Sequence, residues 1–248
     1  MNKVIIVTGG GRGIGAATSI LAASQGYSVC INYIQDASSA NNIVLQIKER
    51  GGNAIAVAAD VSQEHEIERL FKVVDNELGV LHALVNNAGI IQRKARVDQM
   101  DMKRLNKIFT TNITSYFLCA REAVKLMSTQ YGGKGGAIVN VSSAASRLGS
   151  AGEYVDYAAS KGAIDTLTIG LAREVANEGI RVNCVRPGFI YTDIHRNAGD
   201  PDRVNRISSS LPMLRGGQPY EIANAIMWLL SDEASFVTGT FIDAAGGL

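Results

Sequence analysis

Tyr157 and Lys161 stand four residues apart. On a helix that spacing puts both side chains on one face about a turn apart, so an ammonium can reach a phenol. A free tyrosine releases its proton near pH 10, and a cation beside it favours the phenolate, which draws the pKa toward the range of a working acid or base. Tyr154 lacks this partner, because Ala158 occupies the position four residues on. Alone, Tyr-x-x-x-Lys describes a solvated helix pair at least as well. Its company gives it chemistry: Ser142 and Ser143 just upstream, a glycine turn at the start of the chain, and Asn112 between them.

These residues need elements to position them. Residues 3–8 form an apolar run that breaks into Gly9-Gly-Gly-Arg-Gly-Ile-Gly15 and then into a small-residue helix. Strand, glycine turn and helix in that order suit a dinucleotide: glycines allow the tight turn, close approach of a phosphate and close helix packing, and the helix N-terminus offers amides and positive dipole to a pyrophosphate. Residues 28–33 read as a second buried strand. It ends on Tyr33, where an NAD site would place an acid for the ribose hydroxyls. Helix to about residue 50, strand 54–58, helix 64–78 and strand 81–85 continue the alternation, which specifies a parallel sheet covered on both faces. Asp60, followed by Val61, either accepts from an adenine amino group or caps the next helix, a role open to Ser62 as well. Asn86-Asn-Ala-Gly89 closes the fourth strand at the sheet's carboxyl edge, where open α/β sheets bind ligands.

Residues 102–127 read as one long helix with Asn112 near its middle. Asparagine is unfavourable there because its amide competes with backbone bonding, so a kink or a water site is expected. Strand 135–143 ends on the two serines, and the Tyr157 helix follows. A sixth strand, 180–185, runs into Arg186-Pro-Gly-Phe-Ile-Tyr-Thr192. Between 195 and 218 the periodicity weakens, as in a lid or binding segment. A helix at 221–230 and a strand at 240–243 finish the chain. The expected fold is a single α/β domain over residues 1–248, doubly wound and mainly parallel, Rossmann-like, with about seven strands, helices on both faces, and a substrate lid around 190–218.

Composition narrows the function. A net charge of +1 without basic or acidic blocks argues against nucleic acid and membrane surfaces and for a small-molecule substrate. Cys30, Cys119 and Cys184 lie apart in apolar runs, as packed reduced thiols do. His65, His82 and His195 lack ligand spacing, so no metal is expected; the first two read as surface or packing residues, and His195 sits on the lid. With strand structure starting at Lys3 and no apolar run of membrane-spanning length, the expectation is a cytoplasmic protein.

Thr8-Gly-x-x-x-Gly-x-Gly15, Asn86-Asn-Ala-Gly89, Asn112, Ser143, Tyr157-x-x-x-Lys161 and Pro187-Gly188 together resemble the classical short-chain dehydrogenases/reductases over essentially the whole chain. The resemblance implies that Tyr157 is the acid/base, that Lys161 lowers its pKa and holds the nicotinamide ribose, that Ser143 bonds the substrate oxygen, and that Asn112 holds a relay water. It implies a cofactor surface of Gly9, Arg12, Gly13, Ile14, Gly15, Tyr33, Asp60, Val61, Asn86, Ala88, Gly89, Pro187, Gly188, Ile190 and Thr192, with Tyr157 and Lys161. One more residue separates Ser143 from Tyr157 than in many relatives, and Ala245 interrupts the usual C-terminal Asp-Gly-Gly.

Tyr33 in place of an acid, with Arg12 in the glycine turn, favours NADP over NAD, although Asp36 lies near and Arg12 also reads as a solvated loop charge. The resemblance extends to 3-oxoacyl-carrier-protein reductases and glucose 1-dehydrogenases, so the expected reaction is hydride transfer to or from a ketone or secondary alcohol, a sugar or small carbonyl compound. Glu178, where many carrier-protein reductases place an arginine, weighs against an acyl-carrier substrate, while Arg147, Arg196, Arg203 and Arg206 can form a basic rim for one. A non-catalytic dinucleotide-binding sensor is the reading of another class. Family members commonly form homotetramers through the helices that correspond here to 102–127 and 157–176, both rich in apolar or small residues on more than one face.

Overall fold

The strand Val4–Val7, β1, feeds two cores. Ile5 and Val7 point to one face of the sheet and Val4 and Ile6 to the other, and all four are buried. That two-sided burial is why the run is continuously apolar rather than alternating. In the computed structural model, which describes residues 3–248, β1 is joined by β2 (Ser28–Tyr33), β3 (Asn53–Ala58), β4 (Leu81–Asn86), β5 (Gly136–Val141), β6 (Ile180–Pro187) and β7 (Phe241–Ala244). The seven strands lie in the order β3-β2-β1-β4-β5-β6-β7. Every neighbouring pair is parallel, so the expected mainly parallel sheet is wholly so.

The helices between the strands are α1 (Gly13–Ser24), α2 (Ala37–Glu49), α3 (Glu64–Leu78), α4 (Met102–Phe109), α5 (Ser115–Met127), α6 (Ala145–Leu148), α7 (Val155–Val175), α8 (Ile194–Asn197), α9 (Arg203–Ile207) and α10 (Pro219–Leu230). Ile43 and Ile47 of α2 and Ile226 and Leu229 of α10 pack on one face with Ile5 and Val7. Ile67 and Leu70 of α3, Cys119 and Met127 of α5 and Val175 of α7 pack on the other with Val4 and Ile6. Full burial of each such side chain contributes about 1.5–3 kcal/mol. The three cysteines are free and buried, as small packing groups.

Two features of this architecture make a site. The strand order reverses between β1 and β4, and an open α/β sheet has its crevice at the carboxyl ends of strands at such a switch. The long helix expected over 102–127 is broken: Thr110–Thr114 forms a π turn between α4 and α5, with Asn112 at its centre. The kink expected from that asparagine is therefore present, in a form that concentrates at functional sites.

The segment after β6 departs from the expected irregular loop. It folds into α8, α9 and a short turn at Ser208–Ser210, and its two ends meet where Ile190 bridges Gly217 and the Tyr191 amide donates to the Gly217 carbonyl at 3.0 Å. These helices are too short to show a period in the sequence. Among the described residues no helix is long and apolar enough to cross a membrane.

Candidate active site

A cleft of about 280 Å³ opens at the carboxyl ends of β1, β4, β5 and β6, lined from the glycine turn at one end to Tyr154 and Arg203 at the other. The glycine end is shaped by backbone. Gly9 has φ +63°, a conformation that glycine adopts without strain. At Gly15 a Cβ would overlap the Gly9 carbonyl and come within 2.7 Å of the Asn87 amide nitrogen, so only glycine lets α1 start this close to β1. Thr8 ties the turn to β4: its hydroxyl accepts from the amides of Asn87 at 2.9 Å and Ala88 at 3.0 Å. The result is an amide-lined cradle at a helix N-terminus, a shape that fits a pyrophosphate.

The floor is built by β5 and α7. Ser142 and Ser143 close the strand but face different ways. The Ser142 hydroxyl is buried and donates to the Lys161 carbonyl at 3.0 Å, which fixes α7 to the strand. The Ser143 hydroxyl accepts the Ala145 amide at 3.1 Å and bears on the Tyr157 phenol. Burial raises the pKa of that phenol, and the contact with Ser143 draws it back down.

Lys161 behaves differently from the simple helix pair. Its ammonium donates to the Val141 carbonyl at 2.8 Å and to the Tyr116 hydroxyl at 3.1 Å, and lies 5.8 Å from the centre of the Tyr157 ring. The direct reach from ammonium to phenol expected from the spacing is thus replaced by a bond to Tyr116 of α5, and Tyr157 sits above the ordinary tyrosine range rather than below it. Burial in turn pulls the Lys161 ammonium down to about 8.

Asn112 completes the floor. Its side-chain oxygen accepts the Ile90 amide at 2.8 Å, and its nitrogen donates to the Ile90 carbonyl at 2.9 Å and to the Ser160 hydroxyl at 3.2 Å. The amide clamps Ile90 next to Gly89. A Cβ on Gly89 would lie 3.5 Å from the Lys161 nitrogen and 3.6 Å from the Asn112 oxygen, so these three residues share one small space. The start of α7 is fixed by Asp156, which accepts the Tyr157 amide at 2.9 Å and a two-point bond from Arg104 of α4, at 2.7 and 3.2 Å.

The lid side forms the opposite wall. Arg203 of α9 is held by Glu153, and its guanidinium lies 5.1 Å from the Tyr154 ring and 5.5 Å from the Phe189 ring. Tyr154, which has no cation on its own helix face, therefore receives one from the lid. Lys94 bridges Glu153 at 2.7 Å and Asp200 at 3.3 Å, and Arg206 holds Asp200 at 2.7 Å. Glu153 is kept at about 2, first by its bond to Arg203 and then by Lys94. His195 of α8 lines the cleft; burial first, and then the Arg203 charge, pull its pKa down to about 4. His65 is exposed beside Glu66, and the His82 ring accepts the Val4 amide at 3.1 Å.

The cleft thus gathers Gly9, Arg12, Gly13, Ile14, Ala88, Gly89, Ser143, Tyr157, Lys161, Pro187, Gly188, Ile190 and Thr192. Asn86 is a correction: it is still in the strand, buried, with its amide donating to Asn140 at 3.0 Å, and Asn87 faces the cleft instead. Tyr33, Asp60 and Val61 lie beyond the cleft at the ends of β2 and β3. Val61 is buried among the core residues and offers only backbone. Asp60 accepts the Ser62 amide at 2.9 Å, and neither residue caps α3, whose N-cap is Gln63. Arg12 pairs with Asp36 at 3.7 Å, both side chains well exposed. Ala245 packs directly behind Gly188, so the departure in the C-terminal motif supports the cleft wall. Sequence reasoning missed Thr8, Tyr116, Asn87, Phe189, and Tyr154 as a cleft residue. Of these, Thr8 and Asn87 stand inside the quoted motifs and Phe189 follows Pro187-Gly188, so position was the available signal for three of the five.

Comparison with known proteins agrees with this geometry. A family model described as enoyl-(acyl carrier protein) reductase matches residues 9–248. The chain belongs to the short-chain dehydrogenase/reductase family, and it is an NAD(P)-dependent oxidoreductase. It is 57% identical over 244 residues, 98% of this chain and 99% of the relative, to the uncharacterized oxidoreductase YgfF of Escherichia coli K12. It is 36% identical over 247 residues, 99% of this chain and 96% of the relative, to a 3-oxoacyl-[acyl-carrier-protein] reductase of Synechocystis. Among solved structures, a short-chain dehydrogenase from Burkholderia cenocepacia in complex with NADP superposes with a TM-score of 0.89 at 30% identity, over 99% of this chain and 98% of that one.

Proposed function

We propose that the protein reversibly interconverts a ketone and a secondary alcohol of a small or sugar-like substrate with NADP(H), Tyr157 acting as the acid/base. The observation that carries this is the placement of the Tyr157 phenol beside the Ser143 hydroxyl in a cleft at the topological switch point, continuous with an amide-lined cradle. The nicotinamide supplies or takes up the hydride. The residues do the rest. In the reductive direction Tyr157 gives its proton to the carbonyl oxygen as that oxygen gains charge, and Ser143 donates a hydrogen bond to the same oxygen. The Gly13 and Ile14 amides hold the pyrophosphate, Lys161 the ribose hydroxyls, Arg12 the 2′-phosphate and Asp60 the adenine amino group. Ala88, Gly89, Pro187, Gly188, Ile190 and Thr192 line the nicotinamide end. A phenol raised by burial keeps its proton at neutral pH, which suits the reductive direction.

The cofactor choice rests on Tyr33 and Arg12, and is supported by the NADP complex of the Burkholderia relative. Residues 1–248 act as one domain with 190–218 as its lid, in the cytoplasm. The proposed assembly is a homotetramer through α4–α5 and α7, on which Phe117 and Ile169 are exposed apolar residues. A single-chain mass by light scattering at micromolar concentration would overturn that assembly.

A second reading, a 3-oxoacyl-carrier-protein reductase, is favoured by the name of the Synechocystis relative. The surface favours it less. Arg196, Arg203 and Arg206 each pair with a carboxylate, Arg147 bonds the C-terminal residue and faces Asp243, and Glu178 accepts from Ser128, so the rim offers an acidic carrier little free charge. Initial rates of NADPH and NADH oxidation across sugars, simple ketones and acyl thioesters test the proposal. Reduction of small ketones or sugars, faster with NADPH, is the expected result. Tight cofactor binding without turnover of any carbonyl would make the protein a sensor, and turnover confined to acyl thioesters would select the second reading.

A further inference from the structure

Two buried side-chain polar atoms among the described residues lack a protein hydrogen-bond partner, the Tyr154 hydroxyl and His195 Nδ1. Both residues line the cleft that holds Tyr157 and Ser143. Buried polar groups are almost always bonded, so two orphans on residues that line one cavity point to a ligand met there. Ile91, Ile194 and Ala198, which pack with Tyr154, are apolar. Tyr154 is 2% exposed, which makes this a built feature of the wall and not a surface accident.

From these observations, and resting on the carbonyl reductase reading above, we infer that the lid-side wall is a subsite for a second, uncharged oxygen of the substrate, a hydroxyl or carbonyl. Tyr154 and His195 bond it while Tyr157 and Ser143 hold the reacting oxygen. Tyr154 and Tyr157 are attached about one helical turn, ~5 Å, apart, so one small molecule spans both positions. An uncharged group fits because the guanidinium that lines this wall, Arg203, already has both terminal nitrogens on Glu153. The imidazole is held neutral there, so it can serve as donor or acceptor to a hydroxyl. The substrate class is a hydroxyketone or its diol, with a simple ketone a poor substitute.

The test compares a plain ketone, the same chain bearing one hydroxyl, and the same chain bearing a carboxylate, each with NADPH. The parent should favour the hydroxyketone over the plain ketone roughly tenfold in kcat/KM, and Tyr154→Phe and His195→Leu should each remove most of that ratio, with His195→Asn retaining part of it. Thermal unfolding without substrate gives an independent readout. Removing an unpartnered hydroxyl should leave the Tm of Tyr154→Phe at or above the parent's. Equal rates on the plain and hydroxylated ketones, a preference for the carboxylate, an unchanged ratio in both variants, or a Tm several degrees lower in Tyr154→Phe would each overturn the subsite. A parent that reduces none of the three would instead overturn the carbonyl reductase reading and this inference with it.

Discussion

On the floor of the cleft the Lys161 ammonium donates to two acceptors and the Asn112 amide makes three bonds, whereas on the lid-side wall the Tyr154 hydroxyl and His195 Nδ1 make none. The floor sits on a sheet and long helices, and its groups are oriented before anything binds. The wall sets Tyr154, at the N-cap of α7, against His195 and Arg203 of two short helices that ion pairs to Glu153 and Asp200 hold in place, and its two orphaned polar atoms await a partner. The difference separates two tasks: groups already bonded suit a proton transfer whose geometry is common to many substrates, and unpartnered groups suit choosing among them.

Damage to the floor should show the largest effects. Tyr157→Phe removes the proton and keeps the ring, so kcat should fall by about 10² to 10⁴ while the dissociation constant for NADPH stays near the parent's. Tyr154→Phe is its control and should lose less than about tenfold on a plain ketone, the size of one net hydrogen bond.

Cofactor choice comes next. If Arg12 meets the 2′-phosphate with a charge-assisted bond worth about 1.5–3 kcal/mol, Arg12→Ala should lower the NADPH-to-NADH ratio of kcat/KM by roughly tenfold or more. An NADH preference in the parent, or an unchanged ratio in the variant, would show the phosphate to be elsewhere. The exposed pairing with Asp36 competes only weakly, as surface pairs do.

Asn112→Ala tests whether the amide is a clamp. It would leave the Ile90 amide and carbonyl without their partners, and stability measured by denaturant unfolding should drop by about 1–3 kcal/mol. An unchanged midpoint would show that the π turn holds this region without the side chain.

The smallest effect belongs to the wall. Glu153 sits near 2 in the folded protein against an ordinary value of 4.5, so its contribution is fully present above about 4.5 and is lost as pH falls toward about 2. Partial exposure limits this to under about 1 kcal/mol. Hydrogen exchange should show α8 and α9 loosening across that window before α7 does, with Glu153→Gln already loose at neutral pH. Simultaneous loss of protection in all three helices would contradict a separate latch.

How much of this could be read from the sequence follows the same division. The floor's elements are local: a buried strand, a glycine turn, and an asparagine where a helix resists one were each visible within a few residues, and the π turn at Asn112 is the expected kink. What eluded the sequence depends on partners distant along the chain. Lys161 bonds to Tyr116, 45 residues away, where helix spacing pointed to Tyr157. Tyr154 acquires its cation from Arg203, 49 residues on, which no rule about i+4 neighbours can show. The Asn86–Asn87 exchange has a more modest cause: the strand runs one residue further than expected, through Asn86, and that decides which amide stays in the sheet.

The division itself is most directly tested by kcat/KM for the plain ketone and its hydroxylated analogue, with NADPH, in Tyr157→Phe and Tyr154→Phe side by side. The floor variant should depress both substrates by the same factor of about 10² to 10⁴ and leave their ratio intact, and the wall variant should collapse the ratio instead. Near-parental turnover in Tyr157→Phe, or a ratio that moves with Tyr157 and not with Tyr154, would contradict the account.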